Sequence, residues 1–344
     1  MKIDIKSLTL NELKEQLVLL GEKPFRAKQI YEWLHVKLVR SFDEMTNISK
    51  ETKQKLEENF ELTNLKVVDS LISEDGSTSK FLFELSDHRV IESVLMKYHH
   101  GNSVCISSQV GCRMGCRFCA STLGGLERNL QTSEMLDQIY QIQKISGERV
   151  SNIVIMGTGE PMDNFDNVVR FLDMISNESG LNISQRNITV STCGLVEKIR
   201  ELADLKLAIT LAISLHAPTD ARRKEIMPVA NKYTIAQIME ACHYYYEQTG
   251  RRITFEYSLI EGVNDQPEQA QTLSKLVKGL NCHINLIPVN PIKERDFKQT
   301  SSKYVQNFKN LLEKNRINVT IRREMGSDIN AACGQLRKSY TDKL

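Results

Sequence analysis

Between residues 103 and 290 six apolar runs of strand length alternate with segments of helical length. The runs are "SVCISSQ", "NIVIMG", "NITVSTCG", "LAITLAISLHA", "ITFEYSLI" and "HINLIPVN". Between them lie "SEMLDQIYQIQKIS", "NFDNVVRFLDMIS", "TIAQIMEACHYYYEQ" and "PEQAQTLSKLVKGL". This order points to parallel strands joined by crossover helices, an α/β architecture. Six units are too few for a closed eight-fold barrel, so the expected fold is a partial (β/α)6 barrel. Each run ends in a polar or glycine-bearing stretch: "GTGEP", "STCG", "SLHAP", "IEGVND", "PVNP" and a loop of cysteines. Loops at strand C-termini build the active sites of βα barrels, so six such ends converging make one large site.

The flanks read differently. Residues 1–65 are helical and charged, with Leu10, Leu13, Leu17 and Leu20 at helical spacing and Trp33 as the expected core anchor. Residues 66–88 alternate apolar and polar around Asp75-Gly76, a hairpin or linker. The barrel core is expected over 89–320, followed by a C-terminal segment, 321–344. A chain of 344 residues can bury a sizeable core and still carry accessories. Its net charge of +2 gives no argument for nucleic acid, so any RNA surface must be a local basic patch. The segment "MKIDIKSLTL" lacks the apolar core of a signal peptide, and "LKLAITLAISLHA" is too short to span a bilayer. The cytoplasm is the expected compartment, with no membrane contact.

In reducing cytoplasm, clustered cysteines signal metal or catalysis more often than bridges. Cys112, Cys116 and Cys119 form C-x3-C-x2-C within "GCRMGCRFCAS". Thiolates select zinc or iron–sulfur clusters. Structural zinc asks for four ligands, and no second cysteine pair is near. A [4Fe–4S] cluster takes one cysteine per iron, so three leave one iron open for another ligand.

C-x3-C-x2-C with Phe118 before its last cysteine resembles the signature of radical S-adenosylmethionine enzymes. The resemblance narrows over "SSQVGCRMGCRFCASTLGGLERNL", "MGTGEP", "SLHAPTDARRKEIMPVANKY", "EGVND", "NLIPVNP" and "GSDINAACGQL". These stretches are similar to those of the radical methyltransferases that act on an adenine ring carbon in RNA. That family implies a radical S-adenosylmethionine barrel, one [4Fe–4S] cluster on Cys112, Cys116 and Cys119, and two S-adenosylmethionine molecules per turnover. It implies that Cys333 accepts a methyl group by displacement, a step that needs a thiolate. A radical then forms on the S-methyl carbon and adds to the adenine. Cys105 would release the covalent product by forming a disulfide with Cys333, and Glu92 would remove the ring proton.

The same resemblance assigns Gly159, Glu160, Ser191, Ser214, Leu215, His216 and Asn290 to S-adenosylmethionine. Without that context Cys333 and Cys105 read as small buried hydrophobes and Glu92 as a solvated strand residue. Cys193, Cys242 and Cys282 read as packing residues, and His99 and His100 as loop residues. The expected partners are 23S rRNA and tRNA, with a one-electron donor such as flavodoxin or ferredoxin, and the chain is expected to be a monomer. A buried radical site requires the target nucleotide to be extruded. Lys23, Arg26 and Lys28, with Arg322 and Arg323, are candidates for RNA phosphates. "FCASTLGGLERNL" is closer to the branch that methylates carbon 2 of adenine than to the resistance branch that methylates carbon 8. A non-catalytic, zinc-stabilised RNA-binding module stands as the alternative of a different class.

Overall fold

The structure is a computed structural model that describes residues 2–323 and 325–336; residue 324 and residues 337–344 of the expected C-terminal segment lie outside the described residues. Ten strands form one sheet: β1 (Lys66–Ile72), β2 (Thr78–Glu84), β3 (Val90–Tyr98), β4 (Gly101–Cys105), β5 (Val150–Ile155), β6 (Ile188–Thr192), β7 (Thr210–Ser214), β8 (Ile253–Leu259), β9 (Cys282–Pro288) and β10 (Val319–Ile321). Their spatial order follows the chain from β1 to β10. Pairing is antiparallel from β1 to β4 and parallel from β4 to β10. Among the described residues β1 and β10 do not pair, so the sheet is an open arc. All six expected strands are present as β4–β9, and β10 adds a seventh parallel strand that three residues were too few to announce.

Helices α4 (Thr132–Ser146), α5 (Phe165–Ser176), α6 (Val196–Asp204), α7 (Asp220–Ile226), α8 (Ile235–Thr249), α9 (Pro267–Leu276) and α10 (Ser302–Lys314) follow strands β4 to β9. In α5, Val168, Phe171, Leu172 and Ile175 recur at 3–4 residue spacing and are all buried, so one stripe faces the sheet. In β8, all but Thr254 of Ile253–Leu259 is buried, as expected of a strand covered on both faces.

The N-terminal helices α1 (Leu10–Leu19), α2 (Arg26–His35) and α3 (Lys50–Asn59) share one apolar core with the barrel helices. Two buried polar contacts fasten them to α4. The Lys6 ammonium lies 2.7 Å from Asp137 Oδ1, while Leu65 N–H donates to Asp137 Oδ2 at 2.7 Å. His35 Nδ1 and Tyr140 Oη are 2.8 Å apart. Trp33 is not the anchor: it is half-buried, with Lys37 Nζ 3.8 Å from its ring centre, and Ile30, Tyr31 and Leu34 fill the core instead. A helix face alternates every three to four residues, and Trp33 falls on the rim of that face.

The β1–β2 hairpin is the antiparallel margin of the main sheet, continuous with β3. It is closed by Ser73 N–H donating to Thr78 O at 2.9 Å. No helix among the described residues is long and apolar enough to cross a membrane.

Candidate active site

The C-terminal ends of the parallel strands open into one cavity. Cys112, Cys116, Cys119 and Cys333 line it, together with Gly159, Glu160, Ser191, Ser214, His216 and Asn290. Most of the strand-end residues read from the sequence therefore meet on one surface.

Local backbone chemistry shapes the cysteine loop. Gln109–Gly111 and Leu126–Asn129 pair antiparallel at its base, and Cys112 N–H donates to Gly125 O at 2.8 Å. Thr122 Oγ1 donates to the carbonyls of Cys116 and Cys119 at 3.1 and 2.9 Å, turning the chain back on itself. Burial pushes the Cys112 thiol up to about 12 and raises Cys116 and Cys119 as well, with the neighbouring cysteines adding to it. Three mutually repelling buried thiolates call for a cationic group to hold them. Cys112, Cys116 and Cys119 line one cavity, and a cluster takes one thiolate per iron, so the chemistry of this donor set fits an iron–sulfur group.

Glu160 follows β5 and is buried. Its Oε2 accepts Cys193 N–H at 2.8 Å and its Oε1 accepts Met162 N–H at 3.0 Å. Burial raises its pKa against the lowering effect of those bonds. Gly159 stands at φ +113°, where a Cβ would lie 2.7 Å from Gln109 Cβ and 2.8 Å from Gln109 N. Only glycine lets the strand end approach so closely. Ser191 and Ser214 hydroxyls, on adjacent strands, are 3.4 Å apart. His216 is buried and its Nδ1 accepts Ser258 N–H at 2.9 Å. Burial, with Arg223 adding, lowers its pKa to about 3, so the ring is neutral and carries its proton on Nε2. Phe118 packs edge-on against it, 4.7 Å between centres. The Leu215 side chain points into the main core rather than lining the cavity.

Cys333 also lines a second cavity, together with Cys105, Arg322, Tyr98 and Met156. Both cysteines are free thiols. Burial pushes the Cys105 thiol up to about 12; Cys333 adds to this and Arg322 opposes it. Arg322, read from sequence as a phosphate ligand, turns inward between the two cavities, 3.8 Å from Glu256 Oε2. The largest influence holding its guanidinium charged is Cys333.

The Cys333 segment is tied in at several points. Asn290 Nδ2 donates to Cys333 O at 3.0 Å, Ala120 N–H to Gly334 O at 2.8 Å and Ser121 Oγ to Leu336 O at 2.9 Å.

Glu92 is buried on β3 and lines a separate pocket, which shares Ser121 with the cysteine cavity. Its Oε1 is 3.4 Å from the buried Lys80 Nζ, a partner no motif announced. Cys193, read as packing, is buried but also lines the main cavity. Arg223, fully buried, donates to the carbonyls of Cys193, Ser214 and Leu215 and so braces the ends of β6 and β7. Its place in "DARRKE" on a short helix gave no sign of this. Cys242 is buried in the core, Cys282 half-buried beside it. Lys23 and Lys28 are exposed, whereas Arg26 is half-buried and donates to Gln29 Oε1 at 2.8 Å.

Residues 3–62 match the ribosomal RNA large subunit methyltransferase N-terminal domain, and residues 106–273 match the radical SAM superfamily. A protein of Lachnoclostridium phytofermentans named "Probable dual-specificity RNA methyltransferase RlmN" is 70% identical over 342 residues, 99% of this chain and 96% of its own length. One of the same name from Lachnospira eligens is 66% identical over 341 residues, 99% of this chain and 97% of that one. The crystal structure of a radical SAM methyltransferase from Sphaerobacter thermophilus superimposes with a TM-score of 0.94 at 42% identity, covering 98% of this chain and 99% of the other. With the strand ends gathered around three cysteines and both domains matched, the chain belongs to the RlmN family of dual-specificity radical SAM RNA methyltransferases.

Proposed function

We propose that the chain methylates carbon 2 of one adenosine in the peptidyl transferase centre of 23S rRNA and of the adenosine 3′ of the anticodon in tRNAs. The observation that carries this reading is the position of Cys333. It borders both the cavity of the three clustered cysteines and the pocket of Cys105.

Cys112, Cys116 and Cys119 would hold a [4Fe–4S] cluster, and Glu160, Ser191, Ser214, His216 and Asn290 would hold S-adenosylmethionine beside it. When bound, these groups supply reductive cleavage of a sulfonium and hence a primary carbon radical able to abstract hydrogen. The protein residues do the rest. Cys333 accepts a methyl group as a thiolate, with the Arg322 guanidinium offsetting its charge. Glu160 carries negative charge suited to the ammonium of an amino acid, and His216 offers a neutral Nε2–H donor. The methylene on Cys333 would become bonded to the adenine ring, whose hydrogen would leave as a proton to Glu92, the odd electron left on the ring returning to the redox group that the three cysteines would hold. Cys105 holds its own proton by burial until release. The Cys105–Cys333 bond then forms as the sulfur–carbon bond to RNA breaks. The electron pair passes to that carbon, which takes a proton and becomes the methyl group, and an external thiol reduces the disulfide.

The domain limits, a monomeric state, a cytoplasmic site and a flavodoxin- or ferredoxin-type donor belong to the same reading. Exposed Lys23 and Lys28 support RNA docking by the N-terminal module. The test is mass spectrometry of nucleosides from rRNA and tRNA of a deletion strain complemented with this chain. 2-Methyladenosine in both RNAs is expected; 8-methyladenosine would overturn the ring position.

A further inference from the structure

Arg223 is fully buried, and a guanidinium is among the costliest groups to bury without full pairing. Three carbonyls at the ends of β6 and β7 meet it. Nε donates to Leu215 O at 3.2 Å, and Nη2 donates to Ser214 O at 3.2 Å and to Cys193 O. The remaining nitrogen, Nη1, is buried with no hydrogen-bond partner among the described residues. Bracing two strand ends therefore accounts for part of the group and leaves its charge and one donor unexplained.

The surroundings show what the charge meets. Burial lowers the Arg223 pKa, and the sulfurs of Cys193 and Cys116, then Asp220, oppose it. In return Arg223 opposes the upward push of burial on both thiols. The packing here is apolar: Cys193, Ala217, Ile226 and Met227 are buried together, with Cys116 and Phe118 against them. Solvent and salt screen a charge little in such a place. His216, in the same cavity as Cys116, is held neutral and adds no such charge.

Helix α7, which carries Arg223, is fastened to the cysteine loop on both flanks of Cys116. Arg117 N–H donates to Ile226 O at 2.9 Å, and Arg117 Nη1 donates to Glu225 O at 3.1 Å. On the other flank Gly115, at φ +72°, packs so close to Pro228 that an added Cβ would lie 3.2 Å from its Cγ. Arg223 and Cys116 are thus kept in one relative position.

We propose that Arg223 sets the reduction potential of the iron–sulfur group on Cys112, Cys116 and Cys119, its fixed positive charge favouring the reduced, more negative state. This rests on the assignment of that group to the three cysteines. Potentials of such groups respond to nearby charge and to hydrogen bonds on their sulfurs. A guanidinium keeps its proton throughout the physiological range, so the charge is permanent. Nη1 leaves an N–H unspent for the second influence.

The experiment compares wild type, Arg223→Gln and Arg223→Lys as full-length protein reconstituted anaerobically with iron and sulfide. Potentials are read by redox titration followed by electron paramagnetic resonance, without S-adenosylmethionine. Iron content, urea midpoint and S-adenosylmethionine affinity are measured alongside. Arg223→Gln is expected to lower the equilibrium constant for one-electron reduction at least tenfold, a fall of about 59 mV in potential. Arg223→Lys keeps the charge and loses the fork, so its constant should stay within about threefold of wild type while both variants lose stability. An unchanged potential in Arg223→Gln overturns the proposal, as does a fall in Arg223→Lys as large as in Arg223→Gln. Loss of iron by both variants also overturns it and leaves Arg223 a brace. A tenfold loss of S-adenosylmethionine affinity at an unchanged potential overturns it in favour of a contact with that molecule. Wild-type protein that takes up no iron on reconstitution overturns instead the assignment of the iron–sulfur group.

Discussion

Replacing Gly159 by alanine tests the close approach at the end of β5. The added Cβ would lie 2.7 Å from Gln109 Cβ and 2.8 Å from both Gln109 N and Ser108 Oγ, and φ is +113°. Gln109 N is main chain, and it donates to Thr158 O at 3.1 Å, so it cannot swing aside as a flexible side chain would. Overpacking of this kind costs about 1–3 kcal/mol, and a non-glycine residue in a sparsely populated backbone region a further ~1–3 kcal/mol. The expected loss is therefore about 2–6 kcal/mol, a large part of the ~5–15 kcal/mol that holds an ordinary domain together. Gly262→Ala provides the comparison: its φ is +69° and nothing lies within 4 Å of the added Cβ, so only about 1–2 kcal/mol of backbone strain applies. Urea unfolding of both variants, read by linear extrapolation, measures the difference. Because Gln109 Oε1 also accepts Glu160 N–H at 2.8 Å, relief of the overlap displaces Glu160, and S-adenosylmethionine affinity should fall with stability. If Gly159→Ala costs no more than Gly262→Ala, the close approach has been misread.

Lys6→Met leaves the buried Asp137 carboxylate without its cation, a loss of about 3–5 kcal/mol in urea unfolding; a loss below ~1 kcal/mol would mean the N-terminal module is not fastened to α4 by this pair. His35 has its pKa lowered from 6.5 to about 3 by burial, so the unfolded chain binds a proton that the folded one refuses. Its contribution is complete above pH 6.5 and lost at about 1.4 kcal/mol per pH unit as pH falls from there toward 3. His35→Phe should flatten the stability profile between pH 7 and 5 by about 2 kcal/mol relative to wild type, measured from urea midpoints; an unchanged profile would refute the neutral buried state.

Strands β4–β9 were legible because residues covered on both faces form unbroken apolar runs, a pattern that survives without neighbours. The three residues of β10 carry no such run and are held by their pairing with β9. The cysteine loop was legible because its chemistry lies within eight residues. Lys80 was not: in an alternating hairpin it reads as the solvated face, and what buries it arrives 250 residues later with Asn330. Arg322 and Arg323 share one composition signal, and only the fold places Arg322 on both cavities and Arg323 on the second alone. Trp33 and Leu215 show the converse, since side-chain size or a strand-end position does not decide which way a side chain faces.

The open arc of strands leaves a gap between β1 and β10, and the segment from Gly326 to Leu336 runs between anchors on different parts of it. It holds the β1–β2 hairpin through Glu74 and Lys80, the end of β9 through Asn290, and the cysteine loop through Ala120 and Ser121. It is a chord drawn across the arc. The width of the cavity is thus set by a span of hydrogen bonds, all but one with a side-chain partner and each worth about 1 kcal/mol, as well as by the sheet. On the role proposed for Cys333, a nucleobase brought to it would have to be accommodated by that chord, so one mechanical element would govern both admission of RNA and the spacing of Cys333 from Cys105.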